Sequence, residues 1–439
     1  MSEAIEKSTM RKVFWRLVPL LFIAELFNYI DRFNLGVAAL RMNHDLGFSP
    51  AIFGFGASVF FVGYMLTGVP SNLMLHKVGA RKWLGSILIV WGLVATFTAF
   101  IWNPYSLYST RFLLGLIEAG FLPGAGLYVT YWFPAGYRAR AVAGYCVAGS
   151  ASAVVGAPLS ALIMTVFNGS LGLHSWQWMF ILEGIPPVIL GIAFLVLLTD
   201  RPANAAWLNP EQRHWLQERL TQEQAAQESH GTFRYVDILT DLRVWSLAAM
   251  LGCALVGIYG MYVWLPQIIN SLGHFSLIEV GMLSAVPSIL GVIGTIAASR
   301  SSDRTGDRKF HLGGLYLTGG LALGASAFAH NPVIAYLLLC VVGLCINSGF
   351  PLYWSLNTTL MTGVAAAGSI AFVNTVAQLG GVVGPWMIGF VKARTDSFAM
   401  GLLTMAGFLV LAALIAFTLR VAPSSRSSSA WRRPSATSN

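Results

Sequence analysis

The chain has 439 residues, 56% of them hydrophobic and only 10% charged, with a mean hydropathy of +0.67. This composition excludes an ordinary soluble domain and places the chain among polytopic membrane proteins. The net charge of +9 belongs to residues flanking the membrane, not to a nucleic-acid-binding face.

A membrane-spanning helix needs about 20 mostly apolar residues. Twelve such stretches follow one another: 13–40, 52–75, 83–102, 106–133, 140–166, 178–198, 244–271, 279–299, 311–329, 333–361, 370–391 and 397–420. They predict an all-α membrane protein of 12 transmembrane helices in two six-helix halves, 1–199 and 244–420. Between the halves, 200–243 forms a polar linker, where Asn209 and Pro210 read as the cap and first residue of a surface helix. The Ser- and Arg-rich stretch 421–439 reads as a disordered tail.

Of the 27 Lys and Arg residues, only Arg41, Lys392 and Arg394 fall on the side opposite the N-terminus, while Arg32 and Arg111 lie inside spans. That asymmetry predicts both termini in the cytoplasm, and a multi-pass protein of the bacterial inner membrane. The first apolar run is too long for a signal peptide, so none is expected to be cleaved. Cys146, Cys253, Cys340 and Cys345 all lie in predicted spans, so neither a disulfide framework nor a zinc motif is expected.

The first span places Glu25, Asn28, Tyr29 and Arg32 on one stripe, with Asp31 about 100° away. A charge at bilayer depth costs several kcal/mol, so such residues face a polar interior and are functional candidates. Arg32 stays charged at physiological pH, and its planar fork matches a carboxylate. Burial favours the neutral form of Asp31 and a nearby guanidinium its ionised form, a competition suited to proton coupling. A fixed ion pair is the structural alternative. In the fourth span Arg111 and Glu118 share a face, with Glu118 about 10 Å deeper, as a proton relay or a salt bridge to another helix. Glu25 and Glu183 lie nearer helix ends and read as structural.

The halves repeat. HKVGARK at 76–82 and DRTGDRK at 303–309 align at an offset of 227 residues, which also carries Pro158 onto Pro385. This offset maps Asp31, Arg32, Arg111 and Glu118 onto Ile258, Tyr259, Leu338 and Cys345. The charges thus occur in one half only. In the two loops, Gly79 and Gly306 permit tight turns. Arg81, Lys82, Arg304 and Arg308 meet headgroups or helix ends, and Asp303 can bind a neighbouring helix N-terminus. Neutral candidates for substrate contact in the second half are Tyr353, Trp354, Ser355 and Asn357, together with Asn374 and Gln378 one turn apart.

NYIDRFNLG from Asn28, VGYMLTGVPSNLMLHKVGARKW from Val62, RFLLGLIEAGFLPG from Arg111 and YWFPAGYRARA from Tyr131 resemble the anion:cation symporter family of the major facilitator superfamily. The chain looks particularly like its tartrate-type and aldonate carriers, with aromatic-acid permeases as near relatives. The resemblance implies proton sites at Asp31 and Glu118 with Arg111 in coupling, and substrate carboxylate at Arg32. It also implies Tyr29 and Tyr64 lining the cavity and Asn374 contacting substrate. Two departures stand out. His76 replaces the acid of the wider superfamily's loop motif, and Gly149 replaces a glutamine that sugar-acid carriers present to substrate, which favours a smaller or aromatic acid.

The sequence therefore predicts a proton-coupled importer of an organic carboxylate working by alternating access. It would need no cofactor beyond co-transported protons, and would function as a monomer among membrane lipids. A proton-driven exporter is the alternative within the class. A membrane-embedded lipid enzyme would need a nucleophile or metal motif, and neither HExxH nor GxSxG occurs.

Overall fold

The computed structural model describes residues 2–228, 239–360 and 365–419. The first half comprises α1 (Ser2–Asp45), α2 (Pro50–Val78), α3 (Ala80–Phe97), α4 (Pro104–Glu118), α5 (Phe121–Thr130), α6 (Ala135–Val166) and α7 (Ser175–Leu197). The surface helix α8 (Pro210–Glu228) follows. The second half comprises α9 (Leu242–Leu272), α10 (Leu277–Thr305), α11 (Lys309–Ser326), α12 (Pro332–Leu360), α13 (Ala365–Ala377), α14 (Leu379–Thr395) and α15 (Ala399–Thr418). Parts of the expected linker (229–238) and the Ser- and Arg-rich tail lie outside the described residues.

Local chemistry sets the helix starts. Ser49 accepts a hydrogen bond from Ile52 N–H ahead of Pro50, Asn103 and Ser106 form a capping box around Pro104, and Ser276 pairs with Glu279. Each satisfies N–H groups that the first helical turn leaves free. Asn209 likewise accepts from Gln212 N–H at 2.7 Å and starts α8.

Eleven described helices, counting α4 with α5 and α13 with α14 as single crossings, are long and apolar enough to span a membrane. The expected ninth span is α11, where Lys309, His311 and five glycines dilute the hydropathy below that measure. Two expected spans are broken. The fourth turns between Glu118 and Phe121, where Gly120 packs so closely on Ser71 that a Cβ would overlap its hydroxyl. The eleventh turns at Gln378, beside Gly380 and Gly381.

The packing is pseudo-symmetric. Within the first half α1 packs on α6, α2 on α4 and α3 on α7; within the second α9 packs on α14, α10 on α12 and α11 on α15. Between halves α2 meets α14, α6 meets α10 and α1 meets α9. These are the equivalences that an offset of one half predicts for a parallel repeat.

The halves approach most closely at the end of the bundle away from residue 2 and α8. A Cβ on Gly36 would lie 2.5 Å from the Val263 carbonyl, and one on Gly389 would lie 2.4 Å from the Pro50 carbonyl. Aromatic pairs fill the same seam: Phe53 with Trp264 at 4.9 Å, Phe33 with Tyr262 at 4.8 Å and Phe61 with Tyr259 at 4.3 Å.

Candidate functional site

Six charged side chains are buried among the described residues: Glu25, Asp31, Arg32, Arg111, Glu118 and Glu183. All belong to the first half. Asp31 with Glu183 and Arg32 with Glu118 form two networks on different sides of α1.

The inner network faces the seam. Arg32 Nη2 donates to Asn28 Oδ1 at 3.1 Å and lies 3.6 Å from Glu118 Oε2, which also accepts from Asn28 Nδ2 at 3.2 Å. The Arg32 guanidinium sits against three rings, with centroids at 5.3 Å for Tyr29, 5.3 Å for Phe60 and 5.1 Å for Tyr64. Arg32 Nε and Glu118 Oε1 are buried without hydrogen bonds. A cation caged by aromatic faces is held in place by their quadrupoles, and its unused N–H is available to an incoming acceptor. Arg111 lies 4.9 Å from the Phe60 centroid and forms no ion pair within 4.0 Å among the described residues. Phe60 thus lies beside two guanidiniums, a contact that hydropathy alone does not reveal.

The outer network faces α3, α6 and α7. Asp31 Oδ2 accepts from Trp91 Nε1 at 2.5 Å, and Oδ1 accepts from Asn34 Nδ2 at 3.2 Å. The same Nδ2 donates to Glu183 Oε2 at 2.8 Å, and Ser160 Oγ donates to Glu183 Oε1 at 2.7 Å. Sequence reasoning set Glu183 aside as lying near a helix end, yet it is fully buried and joined to Asp31 through one amide. Asn34 was visible three residues after Asp31; Trp91 and Ser160 carried no signal in the sequence, since only tertiary packing brings them here. Among the described residues Glu25 Oε2 is buried without a hydrogen-bond partner.

Gly149 on α6 faces Tyr29. A Cβ there would lie 3.1 Å from the ring, so the glycine is what lets Tyr29 rest against α6. Tyr259, the repeat counterpart of Arg32, packs at a tilt against Phe61 and approaches Phe33 at 6.3 Å.

The second-half candidates divide. Tyr353 is buried and donates to the Leu247 carbonyl at 3.0 Å, and Asn357 Nδ2 donates to Tyr353 Oη at 3.4 Å. Tyr353 therefore ties α12 to α9, and Asn357 supports it from within α12. Trp354 packs edge-on against Phe350 and Tyr353. Ser355 offers its carbonyl to Arg308 at 3.4 Å, and Arg308 also donates to Thr359 Oγ1. Asn374 is half-buried on α13, and Gln378, with Oε1 buried and unpartnered, sits at the α13–α14 break. Two polar residues not singled out from sequence cross the second half: Tyr262 donates to Asn347 Oδ1 at 2.7 Å.

In the loops Gly79 has φ 94° and Gly306 φ 70°, conformations that suit glycine. The Arg81 N–H donates to Asp200 Oδ1 at 2.8 Å, so Asp200 supplies the acid at the start of α3. At the equivalent place in the second half Asp307, not Asp303, accepts from the Phe310 N–H at 3.2 Å. Asp303, Arg304 and Lys82 are exposed. The register explains this: Asp303 lies on the last turn of α10, whereas Asp307 lies two residues before the start of α11. His76 meets Tyr131 Oη at 3.0 Å. Among the described residues no cluster of His, Cys, Asp and Glu could hold a metal ion.

The profile of the Major Facilitator Superfamily matches residues 21–385. The chain is 43% identical over 424 residues to a "Putative tartrate transporter" of Agrobacterium vitis, covering 96% of this chain and 97% of the relative. It is 40% identical over 397 residues to a quinolone resistance transporter of Acinetobacter baumannii, covering 90% and 91%. The xylose transporter XylE of E. coli, solved in a partially occluded inward-open conformation, superposes with a TM-score of 0.74 at 14% identity, covering 92% and 97%. That likeness concerns the fold.

Proposed function

The chain belongs to the Major Facilitator Superfamily, and from that premise we propose that it is a proton-coupled symporter importing an organic carboxylate across the bacterial inner membrane. As a member it is a multi-pass membrane transporter and not an enzyme. The observation that carries the reading is Arg32: a caged guanidinium with an unused N–H, whose near carboxylate is Glu118 at 3.6 Å. A substrate carboxylate and Glu118 compete for the same cation. When Glu118 is protonated, Arg32 is released to substrate; when substrate leaves, Glu118 re-pairs and gives up its proton. Neutral aromatic surfaces from Tyr29, Tyr64 and Tyr259 supply shape, and Asn374 and Gln378 are the second-half amides proposed to touch substrate.

With the termini in the cytoplasm, as the distribution of Lys and Arg supports, the closed seam is periplasmic and the conformation inward-facing. Opening it and closing the opposite end would complete alternating access. A charge crossing an occluded state uncompensated is costly, which is why proton and anion must move together. Asp31 and Arg111 complete the proposed coupling set, and Gly79, Arg81, Lys82, Asp303, Arg304, Gly306 and Arg308 remain the proposed gating loops. The carrier would act as a monomer.

The substrate class favoured is a small hydroxy or dicarboxylic acid, of which tartrate is the first to test given the Agrobacterium vitis relative. Uptake of labelled L-tartrate into proteoliposomes, driven by an inward proton gradient, tests this; no accumulation above the gradient-free control would overturn it for tartrate. A second reading, export of an amphipathic organic acid, is favoured by the quinolone resistance relative. Gradient-driven loss of a fluoroquinolone from loaded vesicles of known orientation separates the two.

A further inference from the structure

Four buried carboxylates, Glu25, Asp31, Glu118 and Glu183, face two buried guanidiniums, Arg32 and Arg111. An uncompensated ion in the interior costs several kcal/mol, so the resting structure must hold protons on some of these acids. Glu118 lies beside Arg32. Among the described residues Glu183 pairs with no cation, and its oxygens accept from Ser160 Oγ at 2.7 Å and Asn34 Nδ2 at 2.8 Å.

Asn34 spends both amide hydrogens on carboxylates, one on Glu183 and one on Asp31 at 3.2 Å. Their nearest oxygens are therefore no more than about 6 Å apart, a range at which two like charges strongly disfavour each other. The groups around the pair are few. On α1 there are Asp31 and Asn34, on α3 Trp91, on α6 Ser160, and on α4 Arg111 and Glu118, which act on Asp31 through space. No charged residue of α3, α6 or α9 is buried among the described residues.

The pair also has a route to the seam. Asn34 lines a cavity of about 30 Å³ between the halves, together with Tyr29, Phe33, Ser152, Tyr262 and Ser284. That is room for about one water, and Asn34 Oδ1 is buried there without a hydrogen-bond partner.

We propose that Glu183 is a further proton-carrying carboxylate, coupled to Asp31 through the shared amide of Asn34 and loaded from the seam cavity. On protonation, the Glu183 carboxylate gains one O–H, which donates to Ser160 as that hydroxyl rotates. The repulsion across Asn34 is thereby relieved, so Glu183 and Asp31 together carry two protons where Asp31 alone would carry one. This rests on the proton-coupled reading, and it adds one proton to the cycle.

Infrared difference spectra of the purified full-length protein, titrated across neutral pH, resolve the carbonyl stretch of un-ionised carboxyl groups. Glu183→Gln is expected to remove one such band, and Asp31→Asn to shift it in the presence of Glu183. Retention of every band in Glu183→Gln would overturn the proposal. Should that variant not fold, Ser160→Ala keeps the acid and removes one hydrogen bond; a shifted band supports the proposal and an unchanged spectrum refutes it. With L-tartrate as probe and a gradient of about one pH unit, one proton fewer lowers the limiting accumulation about tenfold, while counterflow is unchanged. Wild-type accumulation by Glu183→Gln would sink this inference and leave symport standing. Failure of the wild type to accumulate tartrate would sink the symport reading for that substrate, while the infrared result still decides on Glu183.

Discussion

Asp31 and Arg32 are adjacent in the chain and do not pair: Asp31 hydrogen-bonds Trp91 and Asn34 on one side of α1, and Arg32 reaches Asn28 and Glu118 on the other. A helix turns 100° per residue, so neighbours point apart. The two roles should therefore separate by mutation. Asp31→Asn is expected to retain substrate exchange and lose gradient-driven accumulation, whereas Arg32→Ala loses binding. Arg32→Lys should also bind at least about tenfold more weakly, because an ammonium lacks the planar fork. Counterflow and pH-driven uptake, measured side by side, check this; equal loss of both in Asp31→Asn would contradict it.

The contact between Arg32 and Glu118 makes a prediction about pH. Protonating Glu118 removes the carboxylate that competes for Arg32, so substrate affinity should rise as pH falls. Glu118→Gln should bind with an affinity nearly independent of pH, retain exchange and lose accumulation. Ligand-induced thermal stabilisation across a pH series reads this directly. A pH dependence as steep as that of the wild type would remove Glu118 from the competition.

Gly149 offers a test of substrate size. Any side chain there meets Tyr29 at 3.1 Å or closer, so Gly149→Gln should displace the ring and place an amide in the site. Stabilisation by an aromatic acid such as hydroxyphenylacetate is expected to fall and that by D-gluconate to rise. An unchanged ranking of ligands would show that Tyr29 does not set specificity.

The seam can be wedged. Gly389 lacks a Cβ where one would lie 2.4 Å from the Pro50 carbonyl, and backbone cannot give way as a flexible side chain does. Gly389→Leu is expected to hold the seam open, abolish transport and leave folding intact. A reporter Leu265→Cys, buried in the parent, should then react faster with a thiol reagent. Protection equal to the parent would mean that the wedge is absorbed locally.

Trp91→Phe removes the N–H that lies 2.5 Å from Asp31. Leaving a buried carboxylate short of one donor costs about 1.5–3 kcal/mol, so the melting temperature should drop. Adding Asp31→Asn should recover part of that loss, because the amide no longer needs the same donor. Non-additivity in the double mutant measures the coupling.

Much of this was legible in the chain. Hydropathy gave the spans, the offset of 227 residues gave the repeat, and the helical stripe of Glu25, Asn28, Tyr29 and Arg32 marked an interior face because charge is intolerable in lipid. The capping residue Asn209 announced its helix. Membrane burial makes such signals strong, since every exception to apolarity needs a partner.

What the sequence could not decide was which partner. Asp31 and Arg32 divide between two networks according to which helices lie on each side of α1, and those neighbours are 60 to 149 residues distant in the chain. Glu183 looked peripheral by its position in a span, and only the packing of α7 against α1 brings it to Asn34. The chain determined that four charges, Asp31, Arg32, Arg111 and Glu118, would be buried in one half, and the structure added Glu25 and Glu183. The tertiary structure decided how they pair, because hydrogen bonds are directional and short while the periodicity of a single helix fixes only the side on which a residue faces.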